Sequence, residues 1–597
     1  MIRLSNYTSF LVKHYNDIML HFAFLMWFVL ASFFSQERLF SDAGYYLAKL
    51  VDYQCFWTEV NRYIRVFSQW LPLLFVYLKA DMAWVIWAYS IGHVLFFYSC
   101  YLVARIGFGH RYAGWIFILL QTIGISYGFC APGFEYYYVA AFLVLWLLML
   151  QQNRYTLIPI LGQLFLLFFI ITGYRTVVVF VGSALLVHCW LHGLKHWKYY
   201  LGIGTFVLAC LLLKKWGSTD YEEEKMAWIL HLVLEHHFTL NYWWELAQYY
   251  GQHYKITWLL ITINLVLLLA NRRYVLSLGY VLGVLWVQYL VVLSHIDLVH
   301  TRYQEQCYFP LVLVAVLPLL ATIFFVKPKY KKFVFSAFFV LTISQFIGIA
   351  IQIKPYTERV DLMHRLIAVG RQQGKQKLIV AEDTNPLIAD LTFGLGIETR
   401  LLSALQPNRQ TVQVIRTSDW QYLENLGNNP LRDSSHYLHT FKGFYDRKDS
   451  IYLHQNRNQT YFPNFEPSPY YWQTEKIKPL DNLTAIKGKV QLTATPRHRY
   501  RRSKAYLIHI AIQNNSPIDL PSQQLKIAYH WYQAEEVTAW EGSRTALEID
   551  LPSHSQYAQP MLIQMPDKKG RYRLQLDMVA EGIDWLGDQP SYEIEVQ

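Results

Sequence analysis

The chain has 597 residues, of which 54% are hydrophobic and only 16% charged, with 20 Trp, 45 Tyr, 36 Phe and a formal net charge of +11. That length is too great for one ordinary domain. The basic excess does not imply nucleic acid, because many basic residues sit in short loops between apolar segments, where membrane topology accounts for them. All the cysteines (Cys55, Cys100, Cys130, Cys189, Cys210 and Cys307) fall in the apolar part, so no disulfide framework holds the rest together. Lacking metal-ligand spacing, they read as small buried hydrophobes.

The composition changes near residue 354. Before it, apolar stretches near 18–34, 82–104, 113–129, 137–151, 156–171, 175–191, 199–213, 256–270, 274–294, 309–326 and 333–353 predict eleven membrane spans. Trp and Tyr suit the two headgroup belts. No small-residue cleavage site follows Phe34, so the first stretch reads as an uncleaved span rather than a signal peptide. Arg3 and Lys13, Arg105 and Arg111, Arg154, Lys195 and Lys198, Arg272 and Arg273, and Lys327 to Lys332 mark every second loop. Under the positive-inside rule the N-terminus is cytoplasmic and the soluble tail lies outside.

Three external loops are then of interest. The first, about 35–81, carries Asp42 in Ser41-Asp42-Ala43-Gly44-Tyr45-Tyr46, with Asp52, Glu59, Arg62 and Arg65 after it and an interfacial apolar stretch at 70–78. Asp42 has two readings. Ser-Asp before Ala is an ordinary helix start, and a carboxylate at a span exit can also meet the polar head of a lipid-borne substrate. The fourth loop, about 214–255, holds Glu222 to Glu224, His231, Glu235, His236 and His237 on a predicted surface helix. These histidines are adjacent or five apart, which matches no usual helical metal site. The fifth, His295 to Gln306, includes Asp297, His300, Arg302 and Glu305.

In the tail, a helix-like run from Arg359 to Gln373 leads to the short apolar strand Lys377–Ala381, an α/β pattern. From about 485 the pattern turns to short alternating strands, Ala505–Ile512, Leu525–Trp531 and Tyr572–Met578, separated by turn signals; these predict a β-sandwich.

The N-in first span, the acidic residue early in a long first external loop and the span count together resemble the GT-C superfamily of membrane glycosyltransferases. Within it the likeness is to family 39-type enzymes such as the protein O-mannosyltransferases and the lipid A aminoarabinose transferases. His300-Thr-Arg-Tyr-Gln304, running through Tyr308-Phe309-Pro310, resembles the entry to late helices in that family, and Cys130-Ala-Pro-Gly-Phe-Glu-Tyr136 resembles the opening of its fourth span. Ser-Asp-Ala-Gly stands where many members have Asp-Glu, one carboxylate fewer. Tyr529-His530-Trp531 and Gly570 to Leu574 resemble the immunoglobulin-like accessory domain of some bacterial carbohydrate enzymes.

The resemblance implies a polytopic α-helical membrane domain over 1–354, an extracytoplasmic α/β region over 355–484 and an immunoglobulin-like sandwich over 485–597. It implies transfer of a sugar from a polyprenyl-phosphate donor to a glycan, lipid or protein acceptor outside a bacterial inner membrane, with no cofactor. A divalent cation between Asp42 and Glu135 has no spacing argument behind it. Asp42 would act on the acceptor hydroxyl, and Glu135 would position the acceptor as a second acid. Arg302 would grip the leaving phosphate, with Arg62 and Arg175 next in line. Tyr303, His300 and His236 would contact substrate. The bland alternatives are an Arg302–Glu305 salt bridge, an interfacial Glu135, and Arg62 and Arg65 paired with Asp52 and Glu59. No Asp-x-Asp, P-loop or complete Rossmann fingerprint points to a nucleotide-sugar enzyme. A lipid-linked glycan flippase is the rival from another class, against which stand the spans' poverty in charge and the absence of an internal repeat. A surface-polysaccharide polymerase or ligase shares the donor chemistry.

Overall fold

The computed structural model describes residues 2–40, 42–58, 62–174, 177–216, 240–294, 302–323, 326, 328–380, 394–406, 410–416, 436–438, 453–455, 461–462, 471–472, 486–522, 525–534, 536–539, 542–547, 551–580, 584–587 and 589–597. The chain forms two compact units, one reaching to Thr357 and the other starting at Glu358.

The first unit is helical. Its helices in chain order are α1 (Ile2–Phe33), α2 (Asp42–Tyr53), α3 (Val66–Tyr77), α4 (Met82–Leu102), α5 (Ala113–Leu119), α6 (Glu135–Gln151), α7 (Leu157–Gly173), α8 (Val178–His192) and α9 (Trp197–Trp216). They continue as α10 (Leu240–His253), α11 (Lys255–Ala270), α12 (Tyr274–Ser294), α13 (Arg302–Val316), α14 (Leu319–Thr322) and α15 (Pro328–Gln352), and α16 (Lys354–Gln372) belongs to the second unit from Glu358 on. Among the described residues six helices are long and apolar enough to cross a membrane: Tyr15–Phe33, Met82–Gly107, Trp197–Trp216, Tyr274–Val291, Glu305–Thr322 and the apolar part of Tyr330–Gln372. Glu135–Gln151, Leu157–Gly173, Val178–His192 and Lys255–Ala270 are apolar but shorter.

These helices are compatible with a membrane because they are apolar on both sides. Along α1, Leu20, Ala23, Phe24, Trp27 and Ala31 are buried, while Ile18, Phe22, Leu25, Val29 and Phe33 form an exposed stripe at helical spacing. Helix α12 repeats this with Val275, Leu278, Leu282, Leu285 and Trp286 exposed. A helix facing water would put polar residues on that stripe, and a lipid-facing one has no need to. Some of the polar side chains buried between these helices are bonded across them. The Asn264 amide donates to the Ala315 carbonyl and accepts from the Thr322 hydroxyl, each at 2.8 Å, which ties α11 to α13 and α14.

The predicted span at 113–129 is not a continuous helix. Helix α5 stops at Leu119, and turns lead to a 3-10 turn at Tyr127–Cys130. Gly124 has φ +65°, a left-handed conformation that only glycine takes freely, and a Cβ there would come within 3.1 Å of Val312 and 3.3 Å of Tyr254. Helix α13 and the Tyr254 ring therefore close directly over this bend. The stretch at 70–78 does form a short helix, within α3, with Trp70, Leu74 and Tyr77 exposed. The predicted surface helix around His231 lies outside the described residues.

Helices α1 and α4 are antiparallel. Asp17 pairs with Arg105 at one end, at 2.9 Å, and Ser90 donates to the Ala31 carbonyl near the other, at 2.6 Å. Asp42 follows α1 at that second end, and the loop 126–134 meets it there. This loop is held by a carboxylate far along the chain. Glu305, buried in the first turn of α13, accepts the backbone N–H groups of Ser126 at 3.0 Å, Tyr127 at 3.0 Å and Gly128 at 2.6 Å. Gly128 allows the approach, since a Cβ there would stand 2.3 Å from the Tyr137 hydroxyl and 2.9 Å from the Glu305 carboxylate.

In the second unit, strand β1 (Lys377–Val380) lies between β2 (Gln413–Arg416) and β5 (Tyr471–Trp472), parallel to both. Helix Leu395–Ser403 is tied to the part of α16 beyond Glu358 by a buried Arg359–Glu398 pair at 2.5 Å, and Gln413 on β2 donates to the Gly396 carbonyl of the same helix. The α/β pattern and the strand at 377 thus appear as predicted. A hairpin of β3 (His436–Leu438) and β4 (Leu453–Gln455) follows. Beyond residue 485, β6 (Val490–Ala494), β8 (Ala505–Asn514) and β12 (Ser555–Gln564) form one antiparallel sheet in the order β12-β8-β6. A second sheet has β9 (Leu525–Gln533) and β13 (Gly570–Ala580) at its centre, with β10 (Glu536–Ala539) on one side and β15 (Ser591–Val596) and β7 (Arg499–Tyr500) on the other. The sheets are joined by side chains: Trp531 Nε1 donates to the Gln564 carbonyl at 3.0 Å, and the Gln564 N–H donates to the Tyr529 hydroxyl at 2.9 Å.

Two stability outcomes follow. Glu305→Ala leaves the three backbone donors of 126–128 without their carboxylate and is expected to cost at least about 2 kcal/mol, read as a lower midpoint of thermal unfolding in detergent; an unchanged midpoint would show that other contacts hold the loop. Gly542→Ala would place a Cβ 2.2 Å from the Tyr529 ring, displacing the residue that bridges the sheets. It is expected to destabilise the β unit by about 1–3 kcal/mol, measured on the second unit's own unfolding transition, and wild-type behaviour would mean the ring is free to move.

Candidate functional site

The site is built where α1 ends. After Phe33 the chain turns through a 3-10 segment, Glu37–Leu39, and re-enters helix at Asp42, the first residue of α2. Asp42 is half-buried. A helix does start at Asp42, as its Ser-Asp-Ala sequence predicts, and the residue stands at the end of the bundle where α1 gives way to α2.

Three elements converge on it. A Cβ at Gly133 would lie 2.6 Å from the Tyr89 hydroxyl and 4.0 Å from Ala43 Cα. The loop before α6, the middle of α4 and the start of α2 therefore meet at a point where only glycine fits. Tyr89 is 1% exposed, and its hydroxyl has no hydrogen-bond partner among the described residues. It lies within electrostatic reach of Arg65, Asp42, Arg38 and Glu135.

Glu135 opens α6 and is 2% exposed. Arg62 Nη1 donates to its Oε1 at 2.7 Å, and Arg65 Nε donates to the same oxygen at 2.6 Å. Arg65 also lies over the Tyr46 ring, 3.5 Å from its centroid, one helical turn beyond Asp42. Both first-loop arginines thus share a carboxylate 70 residues away from Arg65, while Glu59, one of the two acids expected to pair with them, lies outside the described residues. Glu135 is not a plain interfacial residue. It is the buried anion that fixes two cations beside Asp42, and a carboxylate so engaged is a weak proton acceptor.

Sequence reasoning missed Arg38. It is fully buried, its Nη2 lies 2.9 Å from His93 Nδ1 and 3.5 Å from the Ser90 carbonyl, and its guanidinium sits 4.2 Å above the Phe129 ring centre. Burial pulls its pKa down to about 10, which still leaves it charged at neutral pH. The sequence held no distinct signal for it, since a single basic residue beside an apolar segment is ordinary.

Of the other expected site residues, Arg302 and Tyr303 begin α13 but their side chains lie outside the described residues, as do Arg175, His300 and His236 altogether. The backbone of α13 starts beside the 126–128 loop through Glu305, so Arg302 belongs to a segment packed against it. A polar cavity of about 270 Å³ lies near that loop, lined by Ser126, Lys255, Thr257, Gln345 and Gln352 among others; Asp42 is not in its lining. Among the described residues no group of three or more His, Cys, Asp or Glu side chains is placed to hold a metal ion.

No protein-family model and no curated protein matches the chain. Among solved structures it is similar to the CARDB domain of a Pyrococcus furiosus protein, at 12% identity over 18% of this chain and 94% of that one, with TM-score 0.13. It is also similar to the sporulation control protein Spo0M of Bacillus subtilis, at 10% identity over 18% of this chain and 50% of that one, with TM-score 0.14. The chain thus spans half the length of Spo0M, and likenesses at these scores carry no argument about its fold or function.

Proposed function

We propose that the chain is a membrane glycosyltransferase of GT-C type, transferring a sugar from a polyprenyl-phosphate donor to a glycan, lipid or protein acceptor on the extracytoplasmic face of a bacterial inner membrane. One observation carries the reading: at the end of the bundle where α1 gives way to α2, a half-buried carboxylate, Asp42, stands in a setting of buried arginines and an unpartnered phenol. Glycosyl transfer from a phosphate leaving group needs these elements together. In this reaction the acceptor oxygen bonds to the anomeric carbon as the bond from that carbon to the phosphate oxygen breaks. The bonding pair leaves on the phosphate, and the acceptor proton passes to Asp42. Glu135 keeps Arg62 and Arg65 in place, and Arg302 on α13 is a further candidate for the phosphate. The apolar surroundings supplied by Phe40, Phe129 and Tyr46 keep water from competing as acceptor. The sheets beyond residue 485 are read as an immunoglobulin-like accessory domain acting on acceptor choice.

Asp42→Asn keeps the shape and removes the proton acceptor. Transfer is expected to fall by about 10²–10⁴-fold, while the unfolding midpoint and donor affinity stay near wild type. Near-normal transfer by a well-folded Asp42→Asn protein would dismiss the site. Sidedness is tested separately: a reporter active only outside the cytoplasm, fused after residue 360, is expected to give signal, and a cytoplasm-only reporter at the same point is expected to stay silent. The reverse pattern would put Asp42 on the face opposite to the lipid-linked donor.

A further inference from the structure

At α1's exit one buried guanidinium, that of Arg38, has no carboxylate among its hydrogen-bond partners in the described residues. A guanidinium moved from water into an apolar interior is normally matched by a carboxylate. Arg62 and Arg65 have Glu135, Arg105 has Asp17 and Arg359 has Glu398. Arg38 is as deeply buried as any of these, yet its polar contacts among the described residues are an imidazole and a carbonyl, both neutral. Its Nε and Nη1 have no hydrogen-bond partner. Arginine only donates, so His93 Nδ1 accepts from it and the imidazole proton resides on Nε2. His93 is therefore neutral and cannot balance the charge. The titratable groups that act most on Arg38 are the thiol of Cys130 and the phenols of Tyr138, Tyr89 and Tyr137, all neutral at neutral pH.

The unsatisfied groups also say what is missing. Arg38 Nε–H and Nη1–H are donors, and the Tyr89 hydroxyl, without a partner and within electrostatic reach of Arg38, can be a third. Nε and Nη1 lie on different edges of the guanidinium, so one planar carboxylate would not serve both as well as an anion with several oxygens around one centre. We infer that Arg38 and Tyr89 form an oxyanion site that takes the phosphoryl group of a phosphate monoester or diester, with His93 positioning the guanidinium. The inference rests on the glycosyltransferase reading only in identifying the phosphate as that of a lipid donor; it assigns that group to Arg38, next to Asp42, rather than to Arg302. The surroundings favour a lipid source, because Phe129 covers the guanidinium and Trp27 and Tyr137 pack on His93.

The test uses the full chain in detergent free of phospholipid, with farnesyl phosphate, farnesol and sodium phosphate as probes and affinity read from the shift in unfolding temperature. Farnesyl phosphate is expected to stabilise the wild type where farnesol does not. Arg38→Gln is expected to weaken its binding at least about tenfold, Arg38→Lys to recover part of the loss, and Tyr89→Phe to weaken it about three- to tenfold. Sodium phosphate binding as tightly as farnesyl phosphate, and lost in Arg38→Gln, would keep the oxyanion site and assign it to a free anion. Equal farnesyl phosphate affinity in wild type and Arg38→Gln would overturn the inference. Should Arg38→Gln fail to fold, unchanged affinity in Tyr89→Phe would overturn it instead. Binding that depends on Arg38 in a protein without transfer activity would keep this site and sink the glycosyltransferase reading, whereas transfer indifferent to Arg38 would do the opposite.

Discussion

A cation buried at the end of an apolar helix bundle has to be matched, and that requirement organises the outer end of the first unit. Glu135 is the central case. By accepting from both Arg62 and Arg65 it fixes the start of α6 against the segment before α3, and the Arg65 guanidinium, stacked on Tyr46, extends the attachment to α2. Removing one member of such a set leaves the others charged and dry, a situation costing about 3–5 kcal/mol for a buried pair. The start of α2, and Asp42 with it, is therefore anchored to this ion cluster through Tyr46. The same logic holds at Lys49, buried on α2 and ringed by the faces of Tyr45, Tyr53 and Trp57 at 5.0–5.5 Å, where aromatic quadrupoles offset part of the desolvation.

Much of the architecture was legible because it depends on local pattern. Long apolar runs gave helices, with α4 at Met82–Leu102 close to the predicted 82–104, and α12 at Tyr274–Ser294 matching 274–294. Strands β8, β9 and β13 lie where alternation placed them, each extending a residue or more past the predicted stretch. The failure at 113–129 has a tertiary cause. Its apolar content suits a span, but Gly124 and Gly128 let the backbone bend so that α13 and Tyr254 can close over it, and the hydropathy of a segment does not record what packs against it.

The site was legible only in part, for a related reason. Asp42 stood out by position, since a carboxylate beside a span is costly wherever it has no task. Its neighbours did not, because pairing is decided in three dimensions. Arg62 and Arg65 share Glu135, a contact no local pattern announces, and Glu305 accepts backbone N–H groups far along the chain, the separation to Ser126 being 179; Glu59 and the Arg302 side chain lie outside the described residues. Arg38 passed unnoticed between Glu37 and Leu39 because a single basic residue near a membrane surface is ordinary. Its significance comes from complete burial and unfilled donors, neither of which a sequence displays.

The Glu305 contact has a consequence for how this protein can change over time. Three positions share one small volume there: Gly128 has no side chain because the Tyr137 hydroxyl and the Glu305 carboxylate already occupy the space one would need. A side chain at 128 is tolerable only if 137 or 305 has shrunk first, and a shorter residue at 305 gives up the acceptor for the loop's amides. Substitutions at these places are thus ordered, with single steps blocked and compensating pairs allowed. Sequences that descend from a common ancestor with this one should carry linked exchanges at 128, 137 and 305, a correlated trace of the contact that outlasts recognisable similarity elsewhere.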